Sequence, residues 1–61
     1  MLIFELRRQR GAWVVRLGNS VYGEYLDREQ ACLDAIEAAS EARQTGRDAE
    51  VWDRSTDTRV F

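Results

Sequence analysis

Between Asp27 and Gly46 lies the one stretch of this chain long and periodic enough for a helix, and its apolar side is almost all alanine. Ala31, Cys32, Ala35, Ile36, Ala38, Ala39 and Ala42 fall on one face at helical spacing. A lone helix of this length is marginal in water. Its face must therefore pack on something, and side chains this small suit a close, flat partner. A sheet is expected, with Ile36 as the main anchor. Asp27 stands at the N-cap with Gln30 three residues on, and Glu29 adds favourable charge to the first turn. Gly46 ends the helix near Gln44 or Thr45, with Arg43 in the last turn.

The rest of the chain reads as strands. Met1 to Arg8 alternates, with Leu2, Phe4 and Leu6 on one face. Arg8-Gln9-Arg10-Gly11 is a turn, and Ala12 to Leu17 a second strand. Gly18-Asn19 is a two-residue hairpin signal leading into Val21 to Leu26, where Gly23 marks a bulge or a close backbone approach. Asp48 to Trp52 and Thr58 to Phe61 are the last two strands, joined by the polar loop Asp53 to Asp57. The fold class is therefore α+β: a two-layer sandwich of order β-β-β-α-β-β over residues 1–61. Its sheet is mainly antiparallel, with one helix on one face.

One helix covers one face only. That face should take Leu2, Phe4, Leu6, Trp13, Val15, Leu17, Tyr25 and Val51. Alternation sends Ile3, Glu5, Arg7, Val14, Arg16, Tyr22, Glu24, Glu50 and Trp52 to the other. The assignment of Val51 inward and Trp52 outward reverses if the register slips by one residue.

Composition excludes several roles. No His and one Cys rule out a Cys/His metal cage and an internal disulfide. No apolar run approaches the roughly 20 residues of a membrane helix, and the start lacks a secretory pattern. The cytoplasm is the expected location, and no membrane partner is expected. With 61 residues and no staple, oligomerisation is the remaining route to added stability.

The segment Trp13 to Val51 resembles a DUF2188-like family of small bacterial domains of unknown function. The likeness rests on Trp13-Val14-Val15, Gly23-Glu24-Tyr25, the helix from Glu29-Gln30-Ala31 through Ala42-Arg43, Gly46, and Ala49-Glu50-Val51. It covers about two thirds of the chain and implies a fold, with no catalytic residue. The family's closing turn carries Gly, whereas Asp53 to Asp57 here does not. The strand-strand-strand-helix-strand order is also similar to the partner-binding domain of HicB-type antitoxins, in topology alone.

Catalytic constellations are sparse. Without His or Lys the commonest base and the amine nucleophile are missing. Ser20, Ser40 and Ser55 have no base in view. Cys32 on the apolar helix face reads as a small packing residue. Asp53, Asp57 and Glu50 are the one carboxylate group spaced to gather around a hard cation, but Asp in a loop ordinarily bonds its own backbone. No enzyme, cofactor or metal is therefore expected.

Two binding readings remain. The nine basic residues are all Arg, against eleven Asp and Glu. Base composition accounts for that usage, since the Arg are spread along the chain; bidentate recognition is the functional alternative. Arg7, Arg8, Arg10 and Arg16 crowd the first hairpin and, with Tyr22 and Trp52 for stacking, suggest a weak nucleic-acid binder. The favoured reading is a homodimer or another protein contact. Ile3, Val14, Tyr22 and Trp52 would form its centre and Arg7 and Arg16 its rim. A free edge strand offers a second geometry.

Overall fold

A computed structural model describes residues Met1–Phe61. The elements follow as β1 Leu2–Gln9, β2 Ala12–Leu17, β3 Ser20–Tyr25, α1 Arg28–Gln44, β4 Ala49–Asp53 and β5 Thr58–Arg59. The helix ends where its capping residues place it. Asp27 is extended and its carboxylate accepts the Gln30 N–H at 2.9 Å. At the other end Gly46 takes φ 87°, its N–H bonding the Arg43 carbonyl at 3.0 Å. The Arg47 N–H bonds the Ala42 carbonyl at 3.0 Å, which completes a Schellman closure.

The strand order across the sheet is β3-β2-β1-β4-β5. Three neighbouring pairs are antiparallel and one, β1 with β4, is parallel. The parallel pair follows from the helix. After β3 at one edge, α1 crosses the sheet and delivers β4 to the far side of β1. Helix and sheet bury Phe4, Leu6, Val15, Val51 and Ala49 against Ala31, Ala35 and Ala39. Leu2, Trp13, Leu17 and Tyr25 pack around that cluster, so all eight residues expected under the helix are found there. Ile36 is a difference. It is only partly buried, and the three alanines form the contact stripe instead. Cys32 is likewise partly exposed.

The hairpins show their backbone demands. β1 runs one residue further than expected, so the first turn narrows to Arg10-Gly11, with φ 52° and 77°. Positive φ at both positions makes a type I′ turn, in which Arg10 carries a left-handed strain that Asn tolerates better. Arg10→Asn is expected to stabilise the fold by about 0.5–1 kcal/mol, read as a raised urea midpoint at unchanged slope. In the last loop, Asp57 at φ 53° takes a left-handed conformation.

Between β2 and β3 the register shifts at Val15/Arg16: Val15 pairs with Gly23, but Arg16 pairs with Val21. Tyr22 is the extra residue of a β-bulge. Gly23 is needed as well, because the Tyr25 ring lies over it and a Cβ would collide with that ring. β3 ends at Tyr25, and Leu26, expected in the strand, is 93% exposed.

Candidate functional site

The helix-free face is the surface on which the candidate contact residues were expected to meet. Ile3, Arg7, Arg16 and Trp52 do lie there, and the Val51-in, Trp52-out register holds. Two expected members do not serve. Tyr22 turns to the helix side, because the bulge reverses its direction. Its ring meets Phe4 edge-on at 5.5 Å, and it borders a small cleft with Asp34, Glu37 and Glu41 of α1. Val14 is on the expected face but only 4% exposed, already covered by its neighbours, so it has little area to offer.

Charge organises the face. Arg54 bonds Glu5 at 2.5 Å and Asp57 at 2.8 Å, and its guanidinium sits 4.7 Å from the Trp52 ring centre. These partners, Glu5 first and then Asp57, hold the Arg54 guanidinium above its ordinary range. The Trp52 indole N–H donates to Glu50 at 2.9 Å, and Glu50 meets Arg59 at 3.4 Å. Arg7 approaches Glu5 at 3.7 Å, and Arg16 donates to the Asn19 carbonyl at 3.2 Å. Sequence reading missed Arg54 and Arg59. Arg59 reaches this face by pairing directly with Trp52, a register that strand periodicity does not fix. Val21 takes the position expected of Tyr22, half exposed beside Arg16.

The hairpin arginines do not form one patch. Arg8 stands on the helix side with its guanidinium 5.7 Å from the Trp13 ring centre, and Arg10 is in the turn. Arg7 and Arg16 point the other way, because successive strand residues alternate. The carboxylates weighed for a cation also separate. Asp53 is 1% exposed and accepts the Arg28 Nε–H at 2.7 Å. The Ser55 N–H and hydroxyl also donate to Asp53, at 2.9 and 2.6 Å. Asp57 and Glu50 instead bond Arg54 and Arg59 on the other face. The loop bonding expected of Asp53 is present, and the reach to α1 is additional. On the helix side Tyr25 is pushed up to about 12, by burial first and then by Asp34.

Comparison with protein-family models, with curated proteins and with solved structures gives no match. No helix is long and apolar enough to cross a membrane.

Proposed function

We propose that the chain is a small, non-enzymatic interaction domain that pairs with a second copy of itself through the helix-free face. The supporting observation is the order of charges across the strands. Glu24, Val14 and Arg7 form one cross-strand row that leads to Arg54. Val21, Arg16, Glu5, Trp52 and Arg59 form the next. A half-turn about an axis in the face and perpendicular to the strands lays one row on the other. Arg7 then meets Glu5 of the second copy, and Arg54 meets Trp52. Such reciprocity is what a two-fold interface requires, and charge complementarity fixes its register.

The face carries four Arg (Arg7, Arg16, Arg54, Arg59) and four acids (Glu5, Glu24, Glu50, Asp57), a balance that does not favour phosphate. Edge pairing is the weaker route to a dimer. β3 is broken by its bulge and β5 is two residues long. Five strands about 4.8 Å apart and about 20 Å long make a face smaller than the roughly 800 Å² per partner of a standard interface. A dissociation constant of about 10–100 μM is therefore expected.

Sedimentation velocity from low micromolar to near-millimolar protein tests this. The sedimentation coefficient should rise with concentration. Trp52→Ala should weaken pairing about tenfold, whereas Arg8→Ala, on the opposite side, should leave it unchanged. A wild-type protein that stays monomeric throughout ends the proposal.

A further inference from the structure

The tip of the first hairpin holds a second site, centred on the backbone of Arg8, which shares Arg7 and Arg54 with the proposed self-pairing face. β1 runs on to Gln9, but its neighbour β4 stops at Asp53, opposite Leu6, and the chain turns away at Arg54. Past Leu6, β1 has a free side. Even-numbered residues of β1 aim their backbone groups at that side. The Leu2 N–H donates to the Asp48 carbonyl at 2.8 Å, and the Leu6 carbonyl accepts the Arg54 N–H at 2.9 Å. Arg8 is next in the series. Its N–H and C=O face outward, and no backbone bond from the following loop reaches it.

A cleft of about 260 Å³ lies there, lined by Arg7, Arg8, Gln9, Arg54 and Ser55, with no carboxylate among the five. Arg54 is already neutralised by Glu5 and Asp57. Arg7 has only the 3.7 Å contact to Glu5, and Arg8 has no ion pair. The unmet positive charge therefore belongs to Arg7 and Arg8, one on each side of the strand.

We propose that this free edge at Arg8 docks an extended segment of another protein that carries two adjacent acidic residues. The segment adds a short strand beside β1 beyond the end of β4. A neighbouring N–H and C=O on one residue match a peptide unit; a phosphate would meet the carbonyl unfavourably. Successive side chains of an extended peptide point to opposite faces. Two adjacent acids thus reach Arg7 on one face and Arg8 on the other. The same two charges repel a second hairpin tip, so the occupant is acidic rather than another copy of this edge.

The probe is a capped hexapeptide with a central Asp-Glu pair, titrated into ¹⁵N-labelled protein. Saturable shifts are expected at the Arg8 and Gln9 amides, with a change in Trp13 fluorescence because Arg8 overlies that ring. Arg8→Gln and Arg7→Gln should each weaken binding about fivefold, while amides elsewhere keep their positions. Methylating the central peptide nitrogen should abolish binding. Trp52→Ala should leave it unchanged, which separates this site from the self-pairing face. No Arg8 shift up to about 5 mM peptide, equal binding of an Asn-Gln peptide, or the same shifts from inorganic phosphate or oligothymidine would each overturn the proposal.

Discussion

Asp53→Ala is expected to cost about 3 kcal/mol, the lower end for breaking a buried ion pair because Arg28 is half exposed and can rehydrate. The change also leaves the Ser55 N–H without its acceptor. For a domain of this size, whose core supplies about 3–5 kcal/mol, that is most of the margin. Urea titration of wild type and variant measures it. The pH dependence gives an independent check. Burial alone would raise the Asp53 carboxyl, but hydrogen bonds from Ser55 and Arg28 outweigh burial and hold it below the usual range. A depressed carboxyl contributes fully above its unfolded value of about 3.9 and loses that contribution as pH falls through the folded value. The wild-type advantage over Asp53→Ala should therefore be flat from about pH 7 to pH 5 and shrink below about pH 4. An advantage that grows on acidification would mean the carboxylate is not stabilised by these partners.

Asp53 illustrates what could and could not be read from the residues. Ala49, Val51 and Asp53 alternate, so extending β4 by one residue would have placed Asp53 beneath the start of α1, facing Arg28. Its polarity assigned it to the loop instead. The Asp27 cap, the Gly46 stop and the inward set from Leu2 to Val51 were legible, since each depends on local chemistry or on a period of two or 3.6. Tyr22 was not. One inserted residue reverses every direction before it in the strand, and Gly23 announces a bulge without saying which residue is extra. Half of the expected apolar contact was lost in this way or to the burial of Val14. Arg54 and Arg59 were hidden for a different reason: their place on the face depends on pairing across β4 and β5, which strand periodicity does not determine.

Ala35→Leu should destabilise the domain by about 2–3 kcal/mol although it adds apolar surface and keeps helix propensity. Ala31, Ala35 and Ala39 are each fully buried, so α1 lies on the sheet at alanine distance. A leucine at the middle position has no space to enter and must lift the helix from Leu6, Val15 and Val51. The reverse change in the facing layer, Leu6→Ala, should cost about 3 kcal/mol by leaving a cavity. Ile36→Ala separates this packing from the one expected of the sequence, in which Ile36 anchors the helix. Here Ile36 is peripheral, so its truncation should cost only about 1 kcal/mol. Thermal melts followed in the near ultraviolet, where Trp13 reports on the helix-covered side, would rank the three variants. A severe Ile36→Ala beside a neutral Ala35→Leu would mean that the helix stands off the sheet on its larger side chains. The opposite ranking would place the close fit of the alanine stripe, rather than a single anchor, at the centre of the fold's stability.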